Sequence, residues 1–424
     1  MKIGTAARIR GSFHLPGDKS LSHRMALFGA IAHGTTRITN FGSAADNAST
    51  LACLEALGVA VQRNGSTVEV EGHGPEGLRA AAGVLDCGNS GSTLRMLSGI
   101  VAGRPFRSVL TGDASLCRRP VERIAVPLRQ MGARAESEGG KPPLVIEGGG
   151  LHAIRYEQKV ASAQVKTAVL LAGLQAEGRT TVTEPELSRD HTERLLPAFG
   201  VPVVREGLAV SVDGGARLQA TTFDVPGDAS SAAFLLVAAL VLPDSEVTID
   251  NVLLNPTRTA FLDVLREMGA DIAITASASG PEPIGVVTAR SSRLRGTTVA
   301  PQVVPALIDE VPILAVAAAH AEGTFTLTGA AELRVKESDR LSALAEGLTS
   351  MGASLDELPD GLVVRGGRPL KGAAVRAHDD HRIAMSLAVA ALTATGVTEI
   401  EGAECASVSF PEFYGLLARG TGRG

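Results

Sequence analysis

A lysine, a serine and an arginine follow a turn near the start of the chain. Residues 15–18, Leu-Pro-Gly-Asp, have the composition of a turn, and Lys19, Ser20 and Arg24 open the apolar helix that follows it. Either Asp18 or Ser20 can cap this helix. Free N–H groups at a helix start favour an anion, so these side chains predict a phosphate or carboxylate site. Taken alone, the stretch also fits an ordinary capped helix with solvated charges.

Two further helix starts are small and polar. Residues 86–95, DCGNSGSTLR, place Gly91 in a turn whose glycines let backbone N–H groups approach a ligand. The spacing matches neither a Walker P-loop nor a GxGxxG fingerprint. Ser162, Ala163 and Gln164 form the other start. Both stretches are compatible with an anion site and with a purely structural turn.

Charged residues mark the second half of the chain. Asp309 and Glu310 begin a helix, where an acid is commonly a cap but can also accept a proton in a cationic site. Residues 334–340, RVKESDR, and residues 379–382, DDHR, alternate cations with carboxylates. Such runs are either solvated helix faces or parts of a site for a charged substrate.

Two kinds of helix carry these residues. The first kind is apolar nearly all round and is therefore predicted to be buried. Its members are Ser20–Ala32, Ser90–Ala102, Ser162–Ala176, Ser230–Leu242, Asp309–Ala321 and Asp380–Thr393. The second kind is amphipathic and ends in a Leu, Met or Phe followed by Gly, at positions 57–58, 131–132, 199–200, 268–269 and 351–352. Strand-like runs separate them, and the unit recurs about every 70 residues, as in proteins built from repeats.

The repeat predicts two similar α/β domains. The turn at 15–18 is echoed by Val-Pro-Gly-Asp at 225–228, halfway along the 424 residues. We therefore predict one domain at 17–225 and a second formed by 1–16 plus 226–424, with hinges near 15–19 and 225–228. If the buried helices of each domain run parallel, their N-termini share one face, and the active site is predicted in the cleft between the two domains.

Composition narrows the classes of function. The net charge of −5 argues against general nucleic-acid binding, and the four cysteines show no ligand spacing for zinc. No signal segment or membrane-spanning run is visible in the sequence. We expect a cytoplasmic protein with no metal, no cofactor, no nucleic acid and no membrane partner.

Six motifs together resemble one enzyme family. PGDKSLSHR, GNSGSTLR, LTGDASLCRRP, SAQVKTAVLLAGL, RVKESDRL and DHRIAMS are similar to the motifs of 5-enolpyruvylshikimate-3-phosphate synthases, in the family's order and across essentially the whole chain. The resemblance implies two domains of three βαβαββ units each, the enolpyruvyl transferase fold. It also implies transfer of the enolpyruvyl group of phosphoenolpyruvate to the 5-hydroxyl of shikimate 3-phosphate, in the pathway to chorismate and the aromatic amino acids. We expect a monomer.

The resemblance also assigns residues. It implies catalytic roles for Lys19, for Asp309 as the base at the 5-hydroxyl, and for Glu337 as the acid that protonates the methylene carbon. The residues implied to bind shikimate 3-phosphate are Lys19, Ser20, Arg24, Ser162, Ala163, Gln164, Asp309 and Lys336. Those implied to bind phosphoenolpyruvate are Lys19, Gly91, Arg119, Gln164, Arg340 and Arg382.

Three positions depart from the pattern of some family members. Ala163 stands where some carry a second serine, so only its backbone can contact the phosphate. Some carry a tyrosine near residues 188–191, a place left here to Arg189 or His191. Val408 stands where some carry a lysine before Ser/Thr-Phe-Pro. Gly91 stands where glyphosate-insensitive members often have alanine, which predicts that glyphosate competes with phosphoenolpyruvate.

Two alternatives remain open at the level of sequence. UDP-N-acetylglucosamine enolpyruvyl transferases share the fold and usually place a reactive cysteine before an Arg-Pro pair. Cys117 lies two residues before Arg119, closer than in that family, and is better interpreted as a bystander thiol. A non-catalytic anion-binding relative is the other alternative, although it need not retain both Asp309 and Glu337.

Overall fold

Residues 1–277 and 280–423 are described by a computed structural model. They divide into two compact units: residues 17–225, called here the inserted unit, and residues 1–16 with 226–424, called the split unit. No helix in the described part of the chain is both long and apolar enough to cross a membrane.

The strands are short and lie between the helices throughout the chain. In chain order they are β1 Lys2–Gly4, β2 Arg10–Phe13, β3 Ala32–Thr39, β4 Ala60–Asn64, β5 Thr67–His73, β6 Leu85–Asp86, β7 Arg107–Thr111, β8 Arg134–Glu138, β9 Lys141–Glu147, β10 Arg155–Glu157, β11 Arg179–Thr183, β12 Val204–Glu206, β13 Ala209–Asp213, β14 Leu218–Gln219, β15 Thr222–Asp224, β16 Glu246–Leu253, β17 Asp271–Ser277, β18 Ile284–Arg290, β19 Thr298–Val299, β20 Thr324–Leu327, β21 Ser354–Leu358, β22 Gly361–Arg365, β23 Ala374–Arg376 and β24 Val397–Glu401.

The helices alternate between buried and amphipathic. In chain order they are α1 Lys19–Ala30, α2 Ala45–Ala56, α3 Gly91–Val101, α4 Glu122–Gln130, α5 Ala163–Gly173, α6 His191–Leu195, α7 Ala229–Val241, α8 Ala260–Glu267, α9 Val311–His320, α10 Arg340–Ser350, α11 His381–Thr393 and α12 Phe413–Gly420. The odd-numbered helices bury nearly every residue, whereas α2, α4, α8 and α10 bury one face.

Five of the six sheets in the described residues share one pattern of strand pairing, and the three-stranded sheet β1-β24-β23 lacks the hairpin. In the inserted unit, a first strand pairs parallel with a second, which continues antiparallel into a hairpin, as in the order β6-β7-β9-β8 and again in β10-β11-β13-β12. The parallel pairing requires a crossover, which is supplied by a buried helix. The confirmed fold is therefore mixed α/β with βαβαββ repeats.

Both units are completed by a distant piece of chain. In the inserted unit, β14 and β15 run parallel to β3, so residues 218–224 supply the missing first strand of the first repeat. In the split unit, β2 runs parallel to β16, and β1 pairs antiparallel with β24. The N-terminal segment thus belongs to the sheets of the split unit.

Capping explains where several buried helices begin. Asp18 accepts a hydrogen bond from the backbone N–H of Leu21 at 2.9 Å, and Asp228 accepts one from Ser231 at 3.0 Å. The two Pro-Gly-Asp turns therefore cap their helices in the same way, since an N-cap carboxylate accepts from a helix N–H that has no intrahelical partner. Of the two predicted caps of α1, the structure selects Asp18.

Three predicted helix boundaries were wrong. Ala32 lies in β3, because the helix ends after Ala30. The helix predicted to reach Ala176 ends at Gly173. Asp309 does not open α9: residues 308–310 form a 3-10 turn, and α9 begins at Val311 with Pro312 in its first turn. Proline fits the first turn of a helix, where its missing N–H has no partner to lose.

Candidate active site

Arg24 lies at the start of α1 in the inserted unit. Its guanidinium donates to the hydroxyl of Thr192 at 2.9 Å, to that of Thr167 at 3.0 Å, and to the carbonyl of Ser20 at 2.9 Å. The side chain is only 3% exposed. These three acceptors are neutral oxygens, and they orient the guanidinium. The contact with Thr167 also places the N-terminal turns of α1 and α5 side by side.

Lys19 is held by a carboxylate at the start of the next helix. Its Nζ lies 3.0 Å from Oδ2 of Asp46 in the first turn of α2. The amide of Asn47 donates to the carbonyl of Lys19 at 3.0 Å. The ammonium is thus fixed in position at the N-terminus of α1.

The glycine turn carries the second group of cations. Arg119 donates to the carbonyl and the side-chain oxygen of Asn89, at 3.2 and 2.7 Å, and to the hydroxyl of Ser115 at 3.1 Å. A methyl group at Gly91 would lie 2.9 Å from Nη1 of Arg95 and 3.6 Å from Nη1 of Arg119. Gly91 is therefore the point where the backbone approaches two guanidinium groups.

The start of α5 joins the start of α3 through a glutamine. Gln164 accepts a hydrogen bond from Arg95 at 2.6 Å and donates to the hydroxyl of Ser92 at 2.9 Å. Ser162 caps α5 by accepting from the N–H of Val165 at 3.4 Å. The N-termini of these two buried helices therefore lie together, as the sequence predicted for parallel helices.

Arg340 organises a different kind of cluster in the split unit. Its guanidinium donates to Glu337 at 2.6 Å, to Asp380 at 2.8 Å and to Asp309 at 3.3 Å. Burial disfavours its charge, but the carboxylates, Asp380 foremost, outweigh burial and raise the pKa of Arg340 above its usual range. The cluster therefore fixes three acids around one permanently charged group.

Asp309 lies between three cations. Besides Arg340, Nζ of Lys336 is 3.9 Å from its Oδ1, and Nη2 of Arg382 is 3.7 Å from its Oδ2. Arg382 also donates to the carbonyl of Asp309 at 2.9 Å. An ionised carboxylate in this position can accept a proton.

Asp380 anchors this cluster to the start of α11. It caps the helix by accepting from the N–H of Arg382 at 2.9 Å, and it accepts from Ser338 at 3.1 Å. Burial raises the pKa of this carboxyl, but the charge of Arg340 overcomes that effect and holds the pKa below its usual value. Asp380 is fully buried, and it holds the guanidinium of Arg340 and the backbone N–H of Arg382.

The structure assembles the predicted residues as two groups, one in each unit. Within the inserted unit, one pair of contacts links Arg24 to α5 and another links Gln164 to α3. The predicted residues of this unit are Lys19, Ser20, Arg24, Gly91, Arg119, Ser162, Ala163 and Gln164, and those of the split unit are Asp309, Lys336, Glu337, Arg340 and Arg382. Whether each of them contacts a substrate stays a prediction.

Sequence reasoning did not assign the residues that hold these side chains in place. Asp46 fixes Lys19, Arg95 fixes Gln164, and Asp380 fixes Arg340. The spacing of Gly91 and Arg95, one helical turn apart, is the signal that could have indicated Arg95. Asp46 gives no comparable local signal, because its partner is 27 residues away.

The positions that depart from the family pattern differ in burial and secondary structure. His191 is fully buried at the start of α6, whereas Arg189 is partly exposed, so Arg189 is the better candidate for a surface contact. Val408 ends the 3-10 helix Ala403–Val408. The thiol of Cys117 donates to the carbonyl of Gly112 at 3.3 Å, and its interpretation as a bystander stays a prediction.

The fold and these two groups define a repeat-built α/β protein with an anion-binding set of helix starts and a second set that mixes carboxylates with arginines. The family model of EPSP synthase (3-phosphoshikimate 1-carboxyvinyltransferase) matches residues 3–417. The chain therefore belongs to the EPSP synthase family.

Individual relatives are similar to this chain in sequence over nearly their full length. The chain is 52% identical to the 3-phosphoshikimate 1-carboxyvinyltransferase of Synechococcus sp. (strain JA-3-3Ab), covering 99% of this chain and 96% of the relative. It is 51% identical to that of Carboxydothermus hydrogenoformans, covering 99% of each. The structure of EPSP synthase from Acinetobacter baumannii superposes with a TM-score of 0.88 at 46% identity, covering 99% of this chain and 97% of that one. The shikimate enzyme, and not the UDP-sugar enzyme, is the family that these comparisons support.

Proposed function

We propose that this chain transfers the enolpyruvyl group of phosphoenolpyruvate to the 5-hydroxyl of shikimate 3-phosphate and releases phosphate. Family membership supports the reaction. The observation that carries the assignment of residues is the placement of Asp309 and Glu337 on one buried guanidinium, that of Arg340. A base and an acid that share a cation keep a fixed geometry while protons move.

The inserted unit supplies the binding groups in this proposal. Lys19, Ser20 and Arg24 hold the phosphate of shikimate 3-phosphate at the N-terminus of α1, where the helix dipole also favours an anion. Ser162, the backbone of Ala163, and Gln164 hold it at α5. Arg119 binds phosphoenolpyruvate, because a planar guanidinium group can form bidentate contacts with a carboxylate or a phosphate.

The split unit supplies the proton-transfer groups. Asp309 removes the proton of the 5-hydroxyl as its oxygen bonds to C2 of phosphoenolpyruvate, and Glu337 gives a proton to the methylene carbon. In the resulting ketal, a methyl proton returns to Glu337, and Asp309 gives its proton to the departing phosphate as the C–O bond to phosphate breaks. Lys336 assists at the shikimate 3-phosphate, while Arg340 and Arg382 bind phosphoenolpyruvate. The balance requires no oxidant or reductant.

Phosphate release tests this proposal directly. The purified protein is given phosphoenolpyruvate with shikimate 3-phosphate, and in parallel with UDP-N-acetylglucosamine as the acceptor. We expect turnover with shikimate 3-phosphate alone. Turnover with the UDP-sugar alone would replace the proposed acceptor, and binding of shikimate 3-phosphate without turnover would support the non-catalytic alternative.

The same assay tests inhibition and assembly. Glyphosate is expected to compete with phosphoenolpyruvate because Gly91 adds no methyl group beside Arg95 and Arg119; unchanged activity at millimolar inhibitor would contradict this. We also propose a cytoplasmic monomer whose turns at 15–19 and 225–228 act as hinges. Sedimentation reports the oligomeric state, and scattering curves that are identical with and without shikimate 3-phosphate would argue against hinge closure.

A further inference from the structure

A series of buried hydrogen bonds connects three helices of the inserted unit. Nδ1 of His23 lies 2.7 Å from the hydroxyl of Thr50, which lies 2.6 Å from the hydroxyl of Thr93. Thr93 then donates to the hydroxyl of Ser90 at 2.7 Å. All four side chains are fully buried. We call these contacts the His23–Ser90 series.

The geometry gives the series a direction. A threonine hydroxyl carries a single proton, and Thr93 donates its proton to Ser90. Thr93 therefore accepts from Thr50, and Thr50 accepts from Nδ1–H of His23. A longer contact of 3.4 Å from Thr93 to the carbonyl of Asp46 offers a weaker alternative for the same proton.

The imidazole of His23 fits this direction. Its Nε2 is buried and has no hydrogen-bond partner in residues 1–277 and 280–423. A bare nitrogen lone pair is cheaper to bury than an N–H group without an acceptor. Burial, together with the charges of Lys19 and Arg24, holds the pKa of His23 well below its usual value. The neutral ring with its proton on Nδ1 is therefore the favoured form.

The two ends of the series lie beside different parts of the proposed site. His23 stands on α1 between Lys19 and Arg24, which are assigned to shikimate 3-phosphate. Ser90 caps α3 by accepting from the N–H of Thr93 at 3.0 Å, next to Gly91 in the turn assigned to phosphoenolpyruvate. Thr50 lies on α2, whose first turn holds Lys19 through Asp46.

We propose that His23, Thr50 and Thr93 are positioning residues that fix the phosphate-binding start of α1 relative to the glycine turn at the start of α3. The inference rests on the proposed function, because it takes these two places as the sites of the two substrates. None of the three side chains touches a substrate in this account. Their role is to keep two bound reactants at the spacing that the addition step requires, where small displacements are costly.

Removing one hydroxyl from the middle of the series tests the inference. Thr93→Val keeps the side-chain shape and deletes the donor to Ser90, and Thr93→Ser restores it. Because Thr93 links Thr50 to Ser90, and small displacements of a bound reactant are costly, we expect kcat/KM to fall about tenfold in Thr93→Val, mainly through the KM of phosphoenolpyruvate. Thr93→Ser should stay within about threefold of the parent protein.

Matched variants separate positioning from general destabilisation. Thr36→Val is the control, because Thr36 is another fully buried threonine of this unit and its hydroxyl has no partner in the described residues. Its KM values should be those of the parent. Thr50→Val is the second test variant and is expected to resemble Thr93→Val, so the inference stays testable if either variant fails to fold.

The outcomes distinguish the inference from the proposed function. A parent protein that releases no phosphate overturns the proposed function. An active parent with unchanged KM values in Thr93→Val and Thr50→Val overturns the inference alone, as does an equal change in Thr36→Val. Nitrogen-15 shifts of His23, assigned by difference with His23→Asn, should show the Nδ1–H tautomer; an Nε2–H tautomer would contradict the direction of the series.

Discussion

The two units place their arginines in opposite surroundings. In the inserted unit, Arg24 and Arg119 donate to hydroxyl, amide and carbonyl oxygens. In the split unit, Arg340 lies among the carboxylates of Asp380, Glu337 and Asp309. A neutral acceptor orients a guanidinium, whereas a carboxylate also forms an ion pair with it. The comparison places the carboxylates proposed for proton transfer in the second group, beside Arg340 and Arg382, which are also assigned to phosphoenolpyruvate.

The largest effect is expected from the carboxylates. Glu337→Gln and Asp309→Asn should each lower turnover by about 10²–10⁴-fold, the range typical of a general acid or base. Phosphate release at saturating substrates measures the loss. Glu346→Gln, which changes an exposed glutamate on α10, is the control and should retain turnover. Parent-like turnover in both test variants would break the assignment of proton transfer to the split unit.

Stability should separate the two arginine environments. Arg340→Met leaves several buried carboxylates without their cation, and we expect it to lower the free energy of unfolding by about 3–5 kcal/mol. Arg24→Met leaves Thr167 and Thr192, which are 2.6 Å apart and can bond to each other, so about 1–2 kcal/mol is expected. Urea denaturation of both variants measures the difference. Equal losses would remove the contrast.

The sequence predicted the helix starts that carry the site residues better than it predicted the long-range contacts between them. The helix starts could be identified because caps, glycines and apolar runs are local signals, as with Asp18 and Asp228. The pairing of residues 218–224 with β3 could not be predicted, because the two segments are far apart in sequence. Parallel pairing also leaves no local sequence signal. The carboxylate behind Arg340 was also missed, since Asp380 is 40 residues distant.

A smaller effect concerns pH and the buried histidines. Burial lowers the pKa of His23 in the inserted unit and of His320 in the split unit. The folded protein therefore favours the neutral form of both rings. The contribution of each ring to the free energy of unfolding is fully present above the unfolded pKa of about 6.5 and is lost as the pH falls below it.

Replacing one histidine should make this loss less steep. Each such group costs about 1.4 kcal/mol per pH unit below about 6.5, until its folded pKa is reached. Urea midpoints of His23→Asn between pH 7 and pH 5 should therefore vary less than those of the parent protein. An unchanged pH dependence would show that His23 takes up no proton on unfolding.

The smallest effect is expected at the glycine turn. Gly91→Ala would place a methyl group 2.9 Å from Nη1 of Arg95, a contact that the flexible end of that side chain can relieve by moving. We expect the KM for phosphoenolpyruvate to rise only about threefold, with weaker inhibition by glyphosate. Steady-state kinetics with and without glyphosate measure both. A Gly91→Ala variant that is as sensitive as the parent would place the inhibitor away from this turn.

Calorimetric titration of shikimate 3-phosphate into Arg24→Met and Glu337→Gln tests the division of roles most directly. A charge-assisted hydrogen bond contributes about 1.5–3 kcal/mol, so Arg24→Met should lose at least about tenfold in affinity. Glu337→Gln should bind within about threefold of the parent protein while releasing almost no phosphate. The opposite pattern, with intact binding in Arg24→Met and lost binding in Glu337→Gln, would contradict the assignment of Arg24 to shikimate 3-phosphate binding and of Glu337 to proton transfer.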